Sequence, residues 1–332
     1  MTPVTTMTTT CEPTRADLRW TAAAPLRIAT RRSALAMRQA HMVRDALAAR
    51  GVPSTFVTFD TVGDRRLDRA LSALGEKGLF TAELEAALAA GDVDLCVHSL
   101  KDLPTTLPAG IDHVSVLPRE DPRDALVVRA GVPAGDLATL PARARVGTCS
   151  LRRRAQLLAA RPDLAVGDLR GNVQTRLRKL DDGEHDAIVL AAAGLRRLGL
   201  EARIARALDA PAWLPAPGQG AIAMQARAGD AAVADALALL HHAPTHAAVT
   251  AERALLAALD GGCQVPIGAL VVQSGNGATL HGLVASLDGT RVVRGAEPVP
   301  RDAPELAGRR LAASLRARGA DAILDEVRGA AR

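Results

Sequence analysis

The sequence has very few aromatic residues and almost no lysine. Aromatic side chains make up 2% of the 332 residues, and tyrosine is absent. The core must therefore consist mainly of Ala, Leu and Val, and the stacking side chains and basic tail typical of a nucleic-acid binder are missing. Of the 41 basic residues, 3 are Lys and 38 are Arg, for a net charge of +5. Because Arg is preferred so strongly, the retained Lys77 and Lys101 indicate a specific need for an ammonium group.

Long hydrophobic runs and paired cysteines are also absent. No apolar run approaches the roughly 18 residues of a membrane span, so we expect no membrane association. The four cysteines, at positions 11, 96, 149 and 263, form no CxxC pair. Their spacing matches no zinc site, and scattered thiols are typical of a reducing cytoplasm. We therefore expect no metal and a cytoplasmic location.

The first 24 residues are rich in Thr and have no basic start followed by an apolar stretch. They are not a secretory signal, and we expect a disordered tail with order beginning near Pro25. A chain of this length predicts two or three domains.

A strand, a polar turn and a helix follow one another at the start of the ordered region. Leu26–Thr30 is typical of a strand, Ser33 is a helix N-cap, and Ala34–Arg50 has a helical pattern ended by Gly51. Backbone N–H groups at such a corner attract anions, and Arg31 lies in the turn. Solvated surface arginines are the alternative interpretation.

The same pattern recurs as Thr148-Cys149-Ser150 followed by arginines. We interpret the two as equivalent corners of two similar α/β lobes. Five arginines of the second half, near strand ends or helix starts, indicate a ligand with several carboxylates or phosphates. These are Arg152, Arg153, Arg170, Arg176 and Arg197.

The strand Val93–His98 runs into Lys101 and Asp102. Ligands of open α/β sheets bind beyond the carboxyl ends of strands, so these two residues are candidates for chemistry, although a solvated ion pair is the alternative. His98 is more typical of a core histidine than of a catalyst. The loop before Phe80, which contains Lys77, has the glycines of a lid and equally those of an ordinary surface loop.

Two Pro-containing segments and a late Gly-Gly-Cys turn divide the chain. Residues 119–124 and 211–220 are candidate hinges, and a helix from Thr245 to Leu259 leads directly to Cys263. A thiol on such a turn is held where it can react, although a lone Cys in a turn is more often unremarkable. We predict a tail at 1–24, a first lobe at 25–118 and 221–240, a second lobe at 123–214, and an α+β domain at 243–332.

Together these motifs resemble the porphobilinogen deaminase family, in the family's order from about residue 25 to 270. The matching stretches are RIATR (27–31), GEKGLF (75–80), VHSLKD (97–102), REDPRD (119–124), SLRR (150–153), LRGNV (169–173), PGQG (217–220) and GGCQVP (261–266). The resemblance implies two periplasmic-binding-protein-like α/β lobes joined by hinges, plus a small C-terminal α+β domain. It also implies a transferase that links four porphobilinogen molecules with loss of ammonia and releases a linear tetrapyrrole.

The resemblance also implies roles for individual residues. Cys263 would carry a dipyrromethane cofactor by a thioether bond, and Asp102 would be the central acid/base group. The other matches to cofactor-binding positions are Lys101, Arg152, Arg153, Ser150 and Thr148. The matches to substrate-binding positions are Arg31, Ser33, Arg170, Arg176, Arg197, Gln219, Lys77 and Phe80.

Some points depart from the family or stay open. Cys149 stands where Ser is common and is an alternative attachment point. The resemblance implies a monomer with no nucleic-acid partner, and whether product is handed directly to uroporphyrinogen-III synthase stays open. A two-lobe binding protein or sensor for a polycarboxylate is the alternative function, but it would need neither Cys263 nor Asp102.

Overall fold

The computed structural model describes residues 19–65, 80–261, 265–275 and 277–330. These residues form thirteen strands in three sheets. The strands are β1 (Leu26–Arg31), β2 (Ser54–Phe59), β3 (Leu95–Ser99), β4 (Ile111–Val116), β5 (Asp124–Val128), β6 (Arg145–Gly147), β7 (Ala165–Gly167), β8 (Ala187–Ala191), β9 (Arg206–Leu208), β10 (Ile222–Arg227), β11 (Ile267–Ser274), β12 (Gly277–Ala285) and β13 (Val292–Pro298).

Ten α-helices, several of them short, cover the sheets in the same described ranges. They are α1 (Ala34–Ala49), α2 (Val62–Arg65), α3 (Ala82–Ala90), α4 (Leu151–Ala160), α5 (Val173–Asp181), α6 (Ala192–Arg197), α7 (Ala231–Ala238), α8 (Ala243–Ala258), α9 (Pro304–Ala317) and α10 (Ala320–Ala330). None of the described helices has the length and hydropathy needed to cross a bilayer.

The first lobe is a five-stranded sheet in the order β2-β1-β3-β10-β4. β1 is parallel to β2 and β3, whereas β10 returns antiparallel between β3 and β4. Helix α1 packs on this sheet because Ala36, Ala40, Val43 and Leu47 fall on one face and are buried. The segment after residue 220, which was predicted to return to the first lobe, forms β10 between β3 and β4. Sequence analysis missed β4 and α7.

The second lobe repeats this arrangement in the order β7-β6-β8-β5-β9. β6 corresponds to β1 and β8 to β3, so the two predicted corners occupy equivalent positions. Strand β8 is buried on both faces, since Val189 packs in one core cluster and Ile188 in another. The three residues of β9 are too few to give a recognisable pattern, and sequence analysis missed this strand.

The third unit is an antiparallel sheet, β11-β12-β13, covered by α8, α9 and α10. Helices α8 and α9 approach closely because Gly308 has no side chain. A Cβ atom at Gly308 would lie 2.5 Å from the carbonyl oxygen of Ala251. The predicted α+β character of this region is confirmed.

Order in the first lobe begins before Pro25. Trp20 is 8% exposed and packs in the core with Leu26 and Val52, and Arg19 forms an ion pair with Asp230 at 2.9 Å. The disordered tail was predicted to extend to residue 24, which is too far, because Trp20 supplies apolar surface that the lobe can bury. Residues 1–18 lie outside the described residues.

Glu252 of α8 joins the third unit to both hinge segments. Its fully buried carboxylate accepts hydrogen bonds from Arg119 at 2.7 and 2.9 Å, from the backbone N–H of Gly218 at 2.8 Å and from that of Val271 at 2.9 Å. Such a carboxylate is costly to bury unless every partner is present. Sequence analysis did not predict this contact.

Candidate active site

A cleft of about 490 Å³ lies between the two lobes. The elements that line it begin at the carboxyl ends of β1, β3 and β8, with α5 and the loop before it. Its charged lining is six cationic and two acidic side chains. The cationic ones are Arg31, Arg32, Lys101, Arg153, Arg170 and Arg176, and the acidic ones are Asp60 and Asp102. This excess of positive charge favours a ligand with several negative groups.

The first corner presents its polar groups to the cleft. Ser33 caps α1, since its Oγ accepts a hydrogen bond from the Ala36 N–H at 3.3 Å. The guanidinium of Arg31 lies 4.4 Å from the ring centre of Phe80, within cation–π range. Arg32 pairs with Asp60 at 3.0 Å, and both side chains are largely exposed. Arg31, Ser33 and Phe80, all predicted from the sequence, thus come together.

Gly63 makes room for the Phe80 ring. A Cβ atom at Gly63 would lie 2.1 Å from Phe80 Cε1, so any other residue would displace the ring. Sequence analysis did not predict this contact, because nothing in the local pattern links Gly63 to an aromatic residue 17 positions later. Lys77, predicted in the same loop, lies outside the described residues.

Lys101 and Asp102 lie in a 3₁₀ turn, Leu100–Asp102, immediately after β3. Both line the cleft, as expected for residues at the end of this strand. Lys101 Nζ donates to Gln219 Oε1 at 3.3 Å. Burial and then the charge of Arg153 lower the pKa of Lys101 to about 8, although Asp102 and Asp124 oppose the shift. An anionic ligand would therefore hold this ammonium in its charged form.

The second corner uses its arginines differently. Asp124, fully buried at the start of β5, accepts hydrogen bonds from Arg152 Nη1 and Arg153 Nη2, each at 2.7 Å. It also accepts from Trp213 Nε1 at 2.8 Å and Gln219 Nε2 at 2.9 Å. These arginines hold the pKa of Asp124 far below its usual range, despite the opposing effect of burial.

Arg152 and Arg153 were predicted from the sequence to face a ligand. Arg153 lines the cleft, but Arg152 does not, and its Nη1 also donates to the Leu214 carbonyl at 2.7 Å. Sequence analysis missed Asp124 as their partner. The available signal was an acidic residue at the start of an apolar strand, where a buried charge needs cations.

Arg170 and Arg176 face the cleft from the second lobe. Arg170 Nη1 is buried and has no hydrogen-bond partner among the described residues. Arg176 Nε donates to the Gly171 carbonyl at 2.7 Å, and its Nη2 lies 3.9 Å from Cys149 Sγ. Burial lowers the pKa of Arg176. A carboxylate in the cleft would supply the missing partner for Arg170.

Besides Arg152, four predicted residues of the described ranges lie outside the lining of the cleft. Ser150 caps α4 by accepting from the Arg153 N–H at 3.5 Å, and Thr148 Oγ1 accepts from the Ser150 N–H at 3.2 Å. Gln219 contacts Lys101 through the hydrogen bond described above. Arg197 is buried and donates to the Gly220 carbonyl at 2.6 Å. Burial lowers its pKa to about 10.

The predicted reactive thiol, Cys263, lies outside the described residues. The helix before it is as predicted: α8 runs to Ala258, and Gly261 packs against Leu256 and Ile267. Within the described ranges, no group of three His, Cys, Asp or Glu side chains could hold a metal ion.

Two family models match the chain. One, described as porphobilinogen deaminase, dipyromethane cofactor binding domain, matches residues 26–235. The other, the porphobilinogen deaminase C-terminal domain, matches residues 246–317. Together they cover both lobes and most of the third unit.

Individual relatives agree with these matches. The porphobilinogen deaminase of Moorella thermoacetica is 52% identical over 305 residues, which is 91% of this chain and 96% of its own length. That of Xanthomonas campestris pv. campestris is 51% identical over 304 residues, or 91% and 99% of the two chains. Among solved structures, a methionine-bound nutrient-binding protein from Burkholderia cenocepacia has 13% identity, a TM-score of 0.42, and covers 65% of this chain and 91% of its own. The two-lobe fold follows from the sheet topology, and by its sequence the chain belongs to the porphobilinogen deaminase family.

Proposed function

We propose that this protein is a porphobilinogen deaminase, also called hydroxymethylbilane synthase. It condenses four porphobilinogen molecules head to tail onto a dipyrromethane primer, with loss of ammonia, and releases hydroxymethylbilane by hydrolysis. The observation that carries the proposal is the cleft that Asp102 lines together with six cationic side chains. Each porphobilinogen brings two carboxylates, so the growing chain matches this charge.

The cleft fits the dipyrromethane cofactor. Two linked pyrroles carry four carboxylates, and the buried Arg170 Nη1 lacks a partner among the described residues. When bound, the cofactor supplies the primer to which substrate units are added. Lys101 and Arg153 would hold its carboxylates directly, and Cys263 would attach it by a thioether bond. Arg152, Ser150 and Thr148 would support this contact by holding α4 and Arg153 in place.

Asp102 is the acid/base group of this proposal. Its carboxylate lies in the cleft next to Lys101, where positive charge develops as the aminomethyl nitrogen leaves. In its protonated form the carboxyl group can deliver a proton to that nitrogen, and the carboxylate that results can stabilise the cationic fragment and accept hydrogen bonds from pyrrole N–H groups.

The substrate carboxylates would be bound mainly from the rim of the cleft. Arg31, Ser33, Arg170 and Arg176 line it and have donors of the required kind. Phe80 lines the same space, and Lys77 would bind substrate by its match to the family. Gln219 and Arg197 would act from the hinge, since Gln219 contacts Lys101 and Arg197 contacts the Gly220 carbonyl.

We also propose that the protein is a transferase that acts in the cytoplasm as a monomer. Its product is consumed by uroporphyrinogen-III synthase, and a transient handover between the two enzymes would protect the linear tetrapyrrole.

Intact-mass measurement of the wild type beside Cys263→Ser tests the proposal. We expect the wild type to exceed its sequence mass by two linked pyrroles and to consume porphobilinogen, and the variant to do neither. If both proteins have the bare sequence mass and neither consumes porphobilinogen, the two-lobe binding protein is the better explanation. If the extra mass persists in the variant, the attachment site is elsewhere, and Cys149→Ser is the next variant to measure.

A further inference from the structure

His98 lies beside Arg31 at the carboxyl edge of the first sheet. In the parallel pairing of β1 and β3, Ala29 is opposite Cys96. Two residues further along each strand, Arg31 and His98 are neighbours on the same face, because side chains alternate with a period of two. Both residues line the cleft. The imidazole is therefore next to a proposed carboxylate-binding guanidinium.

The His98 ring is buried but incompletely paired. The residue is 5% exposed, and its Nε2 has no hydrogen-bond partner among the described residues. The nearby amide of Gln225 is also buried: its Nε2 donates to Glu85 at 3.0 Å, and its Oε1, like His98 Nε2, has no hydrogen-bond partner among the described residues. Leaving a buried polar atom unpaired is unfavourable, and buried polar atoms are normally paired in folded proteins. A ligand in the cleft would supply the missing partner.

His98 is neutral at physiological pH. Burial, followed by the charge of Arg31, lowers the pKa of His98 to about 3, although the side chain of Gln225 opposes the shift. A neutral imidazole still has one N–H donor. It can therefore share an anion with Arg31 without adding a second positive charge beside the guanidinium.

We propose that His98 binds substrate: its Nε2–H donates a hydrogen bond to the porphobilinogen carboxylate that pairs with Arg31. This inference rests on the proposed function. It gives His98 a role in recognising the carboxylate, whereas Asp102 acts at the aminomethyl nitrogen. A guanidinium and an imidazole N–H together satisfy more of the lone pairs of a carboxylate than either alone.

Three variants of the full chain test the role of His98. His98→Phe keeps a ring of similar size but removes both nitrogens, and His98→Gln keeps a donor near the position of Nε2. His281→Phe is the matched control, because His281 is partly buried on β12 and does not line the cleft.

We expect His98→Phe to raise the KM for porphobilinogen about 10-fold or more, the loss expected for one hydrogen bond to a charged group, with kcat unchanged. His98→Gln should recover most of this loss, and His281→Phe should leave KM unchanged. The Tm of His98→Phe should fall only slightly, since the variant removes the interaction with the Gln225 side chain but no hydrogen bond of Nε2. If Tm falls while KM stays constant, the ring serves only the packing around Gln225, and the inference is wrong.

A probe without carboxylates tests which part of the substrate is contacted. Inhibition by 2-aminomethylpyrrole, which has the ring and the amine but no acetate or propionate, should be the same in the wild type and His98→Phe. An equal weakening of this probe and of porphobilinogen would assign His98 to the pyrrole or the amine and overturn the carboxylate assignment.

Imidazole ¹⁵N NMR separates this inference from the proposed function. In the Cys263→Ser chain, expected not to elongate a primer, the His98 signal is identified by its loss in Cys263→Ser/His98→Gln. Porphobilinogen should shift that signal, and the shift should vanish when Arg31 is also replaced by Gln. A shift without turnover in the wild type would disprove the deaminase but keep the contact. Turnover in the wild type without a shift of the His98 signal would support the deaminase and disprove the contact of His98 with substrate.

Discussion

The corner between β1 and α1 and the corner between β6 and α4 have the same topology but opposite use of their arginines. At the first corner, Arg31 lies against Phe80 in the cleft and Arg32 pairs with an exposed Asp60. At the second, Arg152 and Arg153 turn inward onto the fully buried Asp124. The two corners share a serine cap and differ in whether the protein supplies its own carboxylate.

This difference shows that an arginine at a predicted anion site has two possible partners. Where the protein supplies a buried carboxylate, the arginine pairs with it and stabilises the fold. Where the protein supplies none, the guanidinium can bind a ligand. Arg153 combines both situations, because it pairs with Asp124 and also lines the cleft. Through its charge it also lowers the pKa of Lys101 from the first lobe.

The largest expected effect is that of Asp124→Asn. The substitution leaves two buried guanidinium groups without their anion, and we expect the free energy of unfolding to fall by about 3–5 kcal/mol. The matched change at the first corner, Asp60→Asn, removes an exposed pair and should cost less than about 1 kcal/mol. Urea unfolding of both variants measures the difference, and equal losses would contradict the contrast between the corners.

Arg31→Gln and Arg152→Met should affect different properties. We expect Arg31→Gln to lower kcat/KM about 10- to 100-fold through loss of a charged hydrogen-bond donor, with little change in stability. Arg152→Met should instead lower the free energy of unfolding, and the folded protein should keep most of its activity. If Arg152→Met lowered kcat/KM as strongly without loss of stability, the second corner would bind ligand as directly as the first.

Lys101 of the first lobe has a pKa that the charge of Arg153, at the second corner, helps to lower, so activity should depend on pH. Because its pKa is lowered to about 8, we expect kcat/KM to decline as the pH rises through 8 and the ammonium loses its proton. Lys101→Arg stays charged, so this decline should move to higher pH, whereas Lys179→Arg should not change the profile. An unchanged profile in Lys101→Arg would rule out Lys101 as the titrating group.

The same group affects stability with a defined sign. The pKa of Lys101 is about 8 in the folded protein, and its reference value in the unfolded chain is 10.5. Between these values the unfolded chain binds more protons, so this group makes the free energy of unfolding increase with pH over that window. Lys101→Arg should remove that increase.

The two serine caps should have the smallest effects. Ser33→Ala and Ser150→Ala each remove one hydrogen bond to a helix N-terminus, and each should cost about 1 kcal/mol. Only Ser33→Ala should also lower kcat/KM, since Ser33 lines the cleft and Ser150 does not. Steady-state kinetics and urea unfolding of both variants test this, and a loss of activity limited to Ser150→Ala would reverse the assignment.

Local patterns predicted much of the fold and part of the site. Strand–turn–helix signals predicted β1, α1, β6 and α4, and the end of β3 predicted the position of Lys101 and Asp102 in the cleft. Short or polar strands such as β4 and β9 gave no signal, because their pairing partners β10 and β5 are distant in the chain. The role of Trp20 was missed for the same reason: the surface that it covers exists only after the lobe has folded.

By itself, the sequence determined the two α/β lobes, the two serine-capped corners, the excess of arginine and the family. These depend on spacing within a few residues, which hydrophobic period and capping express directly. Only the tertiary structure decided which arginines face ligand and which face Asp124, and that Glu252 joins both hinges to the third unit. The physical reason is that the partners of a buried charge are the groups that folding brings next to it, whatever their distance along the chain. Asp124 accepts a hydrogen bond from Gln219, 95 residues away, and no local pattern specifies that contact.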